Sequence, residues 1–223
     1  MPNEILWLIF LIFDLSAVIL MFKLWGKHGL YAMIASSVIV CNIQVLVTVE
    51  MFGMVATLGN IVYASIFLST DILSECFGKK EARKGVWIGF FCLFWSMIAM
   101  QFAIRFIPDA SDFIMPHLKE IFSLLPRVSA ASLVAYLISQ HHDIWAFHLL
   151  KKRTEGRYLW LRNNLSTAVS QLIDSTVFTL GAFWGVFGSS ELLQIVITTY
   201  LFKIVVAALD TPFIYLARKL KSA

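Results

Sequence analysis

Residues 5–25 read ILWLIFLIFDLSAVILMFKLW, a continuous apolar run with only two charges, Asp14 and Lys23. A hydrocarbon core needs about 20 such residues for one helix to cross it. Membrane barrel strands would alternate polar and apolar positions instead, so strands are not expected. The lead-in Met1-Pro2-Asn3-Glu4 has no cation, and no small-residue cleavage site follows, so the run reads as a retained span rather than a signal peptide. Similar runs recur near 29–49, 54–77, 86–107, 126–149, 165–187 and 191–217. Of the 223 residues 59% are apolar and 14% charged, whereas soluble domains carry about a quarter charged residues. The reading is one all-α integral membrane domain over residues 1–223, a bundle of about seven transmembrane helices.

The loops orient that bundle. Alternate loops hold Lys23 and Lys27; Lys79, Lys80, Arg83 and Lys84; Lys151, Lys152, Arg153, Arg157 and Arg162; and Arg218, Lys219 and Lys221. The other side has only Arg105, Lys119 and Arg127, while Lys203 lies inside a run. Cytoplasmic loops collect Lys and Arg, which puts the N-terminus outside and the C-terminus in the cytoplasm. The GKKEARKG loop at 78–85 is explained by this topology and by anionic headgroups. Trp7, Trp25, Trp87, Trp160 and Trp184 fall near run ends, as interfacial indoles do. Pro126 suits a first helical turn, and Pro212 should bend the last span.

Enzyme signatures are missing. Cys41, Cys76 and Cys92 sit in apolar stretches, and no Gly-rich phosphate loop, HExxH or GxSxG occurs. An intramembrane aspartyl protease would want a GxGD loop, also absent. No enzyme activity, cofactor, metal or nucleic-acid partner is expected.

What stands out is the polarity inside the runs. Asp14, Asp71, Glu75, Asp143, Asp174 and Asp210 lie within or at the edge of spans, with Lys203 as the lone cation. Ionisable groups in a bilayer cost several kcal/mol and face cavities or partners. At a rise of about 1.5 Å per residue, Asp71, Asp143 and Gln171 lie roughly 9 Å from the basic side, Asp210 about 10 Å, Gln140 and Asp174 about 13 Å. That is a single layer. Ser139-Gln140-His141-His142-Asp143 and Ser170-Gln171-Leu172-Ile173-Asp174 share the pattern S-Q-x-x-D. On antiparallel helices Asp143 would meet Gln171, and Gln140 would meet Asp174. Such rungs either close on each other or open to a planar ligand rich in N–H donors with a carbonyl acceptor, a guanine-like edge. Trp145, Phe147, Phe178 and Phe183 are candidate stacking faces. Lys203 and Asp210, seven residues apart, are a candidate ion pair.

Ser69-Thr70-Asp71-Ile72-Leu73-Ser74-Glu75 with Phe77-Gly78-Lys79-Lys80-Glu81-Ala82-Arg83 resembles the signature of the queuosine precursor transporters, or vitamin uptake transporter family. The paired S-Q-x-x-D segments, Arg127 before the first, and Leu161-Arg162-Asn163-Asn164 with Ser166-Thr167 before the second match it too, as does Asp174-Ser175-Thr176-Val177-Phe178. The resemblance covers residues near 29 to 217. It implies import of deazaguanine bases (the cyano or aminomethyl precursors of queuosine, or queuine) by a proton- or ion-coupled carrier. It also implies a six-helix core like the substrate-binding subunits of energy-coupling-factor transporters, with an extra N-terminal helix. Carried over residue by residue, Asp71 and Glu75 fall on the acidic pair of the third helix, Arg127, Gln140 and Asp143 on the fifth and Gln171 and Asp174 on the sixth. We read the latter five as substrate-binding, and Asp71 and Glu75, which lie closest to the cytoplasm, as candidates for gating or proton coupling. A binding subunit that needs an ATPase module, for another purine- or vitamin-like substrate, is the second reading. A homodimer and an energising module stay open as partners beside the small-molecule substrate and the lipid bilayer.

Overall fold

The computed structural model describes residues 2–51, 54–123, 125–185 and 188–222. Seven long helices account for most of it: α1 (Asn3–Trp25), α2 (Lys27–Gln44), α3 (Asn60–Cys76), α4 (Lys79–Ala103), α6 (Leu125–Arg153), α7 (Leu159–Phe183) and α8 (Ser189–Ser222), with a short α5 (Met115–Ser123) between α4 and α6. The expected sixth run ends at 187, outside the described residues.

Two expectations need correction. The apolar run was read straight into a third span from 54, but Thr48–Met51 (β1) and Met54–Thr57 (β2) form an antiparallel hairpin, Thr48 opposite Thr57. The third helix therefore starts at Asn60 and has 17 residues. Short β-rich runs such as TVEM and MVAT satisfy strand and helix templates alike. Trp7 is also not interfacial; it is buried with Leu11, Leu15, Val18 and Phe22 on one stripe of α1, the three-and-four spacing of a packed helical face. Trp25, Trp87, Trp160 and Trp184 are exposed.

Gly26 separates α1 from α2 at a φ of 58°, a conformation that only glycine adopts without steric cost. Asn3 Nδ2 donates to the Glu50 carbonyl at 3.0 Å, so the start of α1 and the hairpin share one end of the bundle. The loops after α1, α3 and α6 and the tail of α8 share the other, termed below the basic end. Pro126 lies in the first turn of α6, and α8 continues through Pro212.

α3 is the pillar. Fourteen of its 17 residues are buried, because α1, α2, α4, α6 and α8 all pack around it. Apolar side chains on the periphery point outward: Ile9, Ile12 and Phe13 on α1, Phe91 and Trp95 on α4, Leu201 and Val205 on α8 are all exposed. That inversion suits a lipid solvent. Three helices, α1, α4 and α8, are long and apolar enough to cross a membrane alone, and α5 with α6 passes as one bent span.

Candidate functional site

The polar residues of the interior sit at three levels, which the α3 side chains mark. Asn60 and Tyr63 lie near its start, Thr70 and Asp71 two turns on, and Glu75 at its end. Tyr63 and Asp71 are eight residues apart, about 12 Å along the axis.

At the first level a cavity of about 290 Å³ opens among α2, α3, α6, α7 and α8, in the half of the bundle away from the basic end. Asn42, Tyr63, Ser132, Asp174, Phe178 and Lys203 line it. Its polar wall is one cluster. Lys203 Nζ bonds Asp174 Oδ2 as an ion pair. Tyr63 donates its hydroxyl to Asp174 Oδ1 at 2.5 Å and Ser139 Oγ donates to the same oxygen at 3.2 Å. The Lys203 ammonium also lies 4.5 Å from the Tyr63 ring centre, a cation–π distance. A volume of this size suits a ligand at the small end of the usual range, and an apolar wall with a few convergent polar groups is the usual form of such a site.

The second level is packed rather than hollow. Thr70 donates to Gln140 Oε1 at 3.1 Å, and Thr167 reaches Asp71 Oδ2 at 3.5 Å. Asp143 and Asp210 face Asp71 closely enough to interact electrostatically. Asn163 Nδ2 donates to Asp210 Oδ1 at 3.2 Å. Gln140 Nε2, Gln171 Oε1 and Asp210 Oδ2 have no hydrogen-bond partner among the described residues. A narrow crevice lined by Asn60, Thr167, Gln171, Lys203 and Asp210 runs between the two levels, with Lys203 and Asn60 shared with the cavity.

At the third level Glu75 collects three cations from three helices. Arg162 of α7 approaches to 2.5 Å, Lys151 of α6 to 2.8 Å and Arg218 of α8 to 3.7 Å. Arg162 is fully buried and also donates to the Gly156 carbonyl at 2.7 Å.

The single polar layer read from the sequence is therefore divided. α6 and α7 do run antiparallel, but Ser139 rather than Gln140 meets Asp174, and His142 pairs with Ser170 at 2.9 Å. These pairs are offset by one and two residues from the expected register, and Gln140 turns to α3 instead. Asp174 faces the cavity, Gln171 the crevice, and Asp143 and Gln140 neither. Arg127 lies elsewhere: exposed, it donates to the carbonyls of Gly181 (3.1 Å) and Trp184 and caps the end of α7. The Lys203–Asp210 pair does not form. Seven residues span about 10.5 Å of helix, and Lys203 reaches across to α7 instead. Phe178 and Phe183 line the cavity, whereas Trp145 is exposed and Phe147 lies under Arg162. The small-x3-small pair Ala131 and Ala135 faces inward: a Cβ on Gly181 would stand 2.8 Å from that of Ala131, so this stripe packs α6 on α7.

Tyr63, Asn42 and Arg162 escaped the sequence reading. Asn60 and Tyr63, three apart on one helical face, and Thr199 and Lys203, four apart, carry a signal of shared facing. Arg162 looked like one more loop cation, because α7 begins at Leu159 rather than 165.

A family model described as "Putative vitamin uptake transporter" matches residues 57–217. A Bacillus subtilis (strain 168) protein named "Probable queuosine precursor transporter" is 42% identical over 221 residues, covering 99% of this chain and 96% of its own. An Escherichia coli (strain K12) protein named "Queuosine precursor transporter" is 26% identical over 175 residues, 74% of each chain. No solved structure matches.

Proposed function

Since the chain belongs to the vitamin uptake transporter family and is a multi-pass cell-membrane transporter, not an enzyme, we propose that it imports a deazaguanine precursor of queuosine through the cavity at Asp174 and Lys203. The observation that carries this reading is the ion pair itself. It sets a carboxylate acceptor beside an ammonium donor on the wall of a small hollow. A guanine-type edge offers the complement: N–H donors next to a ring carbonyl. A carboxylate has about four acceptor positions and an ammonium three donors, so both keep capacity for a ligand after pairing. Phe178 and Phe183 supply apolar surface for the ring.

In this reading seven helices cross the bilayer with the N-terminus outside, so the cavity faces the exterior and the Glu75 cluster closes the cytoplasmic end. Around α3 the six-helix core serves as an energy-coupling-factor-like binding unit, with α1 added. Asp71, Asp143 and Asp210 form no ion pair among the described residues, and chains of intramembrane acids are the usual form of a transporter's proton relay. This favours proton coupling over dependence on an ATPase module. Gln140, Asp143 and Gln171 act as inner ligands reached once the crevice widens.

Uptake into proteoliposomes tests the reading. Asp174→Asn should abolish accumulation of the cyano base driven by a proton gradient. Unchanged uptake in that variant would remove Asp174 from the site, and binding without flux in the unaltered protein would favour a binding subunit.

A further inference from the structure

Asp174 is not a spare negative charge, and the cavity's selectivity follows from that. We infer that Lys203 is a specificity-determining residue that restricts the site to uncharged deazaguanines and rejects the protonated aminomethyl form. The inference rests on the cavity being the substrate site, as proposed above.

Each carboxylate oxygen of Asp174 is already engaged, Oδ2 by Lys203 and Oδ1 by Tyr63 and Ser139. Hydrogen-bond capacity remains, but the charge is cancelled. Among the described lining residues there is no other Asp, Glu, Lys, Arg or His, so the wall carries no net charge. Asp210 is the next carboxylate along α8. It lies behind a crevice that is closed in this structure, with no room for a water-sized body, so a ligand seated in the cavity does not reach it at the binding step.

An aliphatic amine is protonated at neutral pH. On entering, it would give up hydration, find no free carboxylate and meet the like charge of Lys203, and a buried unpaired charge is strongly disfavoured. A cyano or hydroxymethyl group carries neither cost. The remaining wall of Val128, Phe178, Phe183 and Ile195 is apolar and receives such a group without demanding a counter-charge. Lys203 thus works on charge, while the acceptor and donor it forms with Asp174 read the shared base edge.

Calorimetric titration of the purified protein with three probes tests this: the cyano, hydroxymethyl and aminomethyl deazaguanines, the last two being nearly the same shape but of different charge. The unaltered protein should bind the cyano and hydroxymethyl bases at least about tenfold more tightly than the aminomethyl base, and Lys203→Met should narrow or reverse that ratio by about tenfold. Equal or tighter binding of the aminomethyl base than of its hydroxymethyl counterpart by the unaltered protein overturns the inference, without need of any variant. So does a ratio that stays unchanged in a folded Lys203→Met protein. If none of the three binds, the assignment of the cavity to deazaguanines falls and takes the inference with it.

Discussion

Arg162→Met asks whether the basic end of the bundle is held shut by charge pairing or by apolar packing. The guanidinium is fully buried, 2.5 Å from Glu75 and 2.7 Å from the Gly156 carbonyl, and lies over the Phe147 ring at 5.3 Å. Removing one member of a buried pair costs about 3–5 kcal/mol, and the lost charged hydrogen bond adds about 1.5–3 kcal/mol. Lys151 and Arg218 remain beside Glu75, but both are partly or fully exposed, so each returns about 1 kcal/mol at most. The net expectation is about 3–6 kcal/mol, or a fall in Tm of roughly 10–20 °C for a chain of this length, read by thermal melting in nanodiscs. Lost packing alone would also lower Tm, so Glu75→Gln and the double variant complete a cycle. Charge pairing requires the double variant to be less damaged than the sum of the singles, by about 1–3 kcal/mol. Additivity within about 0.5 kcal/mol refutes the reasoning.

Tyr63→Phe deletes one donor to Asp174 while leaving Ser139 and Lys203; loss of about 1 kcal/mol should weaken cyano-base binding several-fold in calorimetry, and unchanged affinity would separate Tyr63 from the site. Gly29→Ala should lower Tm by the equivalent of about 3 kcal/mol or more, since its Cβ would stand 2.1 Å from the Met21 carbonyl oxygen, backbone that no rotamer change can move; a normal melt would show that α1 and α2 pack less closely. Glu81, in the first turn of α4, has its carboxyl held below the usual range, first by the Tyr31 hydroxyl at 2.5 Å and then by Lys27 at 3.1 Å. A lowered carboxylate stabilises the fold above its ordinary range and loses that contribution as pH falls from there through the lowered value. Melts from neutral pH to about a unit or more below the ordinary value of about 4.3 should therefore show less acid loss in Glu81→Gln than in the unaltered protein, and parallel curves would count against the contact.

The fold was legible where a run of residues had one physical demand to meet. Residues 5–25 are apolar on every face, and α1 occupies nearly those positions. Legibility failed where two templates fit equally, as at 48–57, and where helices outran their apolar stretch. α7 starts six residues before its apolar run because Arg162 and Asn163 find Glu75 and Asp210 inside the bundle. No count of apolar residues contains that information. The site was legible in its membership more than in its geometry. Asp174, Gln171, Gln140 and Asp143 are all buried in the interior, as the cost of ionisable groups in lipid demands. Which of them share a hollow depended on a register difference of one to two residues between α6 and α7, and on Lys203 choosing a carboxylate across the interface over one on its own helix.

Lipid-facing and interior surfaces of these helices are divided for one reason. α1, α4 and α8 pass as spans, and only 39%, 17% and 28% of their apolar windows are buried: they meet lipid, which rewards apolar surface and nothing else. α3 does not pass. It carries Asn60, Ser65, Ser69, Thr70, Asp71 and Ser74, every one of them buried. Facing hydrocarbon, those groups would each cost several kcal/mol. Enclosed by five neighbours, they find Gln140, Thr167 and Ser37 as partners or near neighbours. A helix can be this polar only if others keep lipid away from it, and the others can do so only by being apolar outside. The enclosure that lets α3 and α7 carry polar side chains is therefore what fits them to present Tyr63 and Asp174 to a polar ligand. Replacing Ser65, Ser69 and Thr70 together with Val would make α3 a better span by composition. It would also remove the Thr70 bond to Gln140 and the Ser65 bond to Ser37, and the expected result is a protein that inserts normally yet melts earlier and loses uptake.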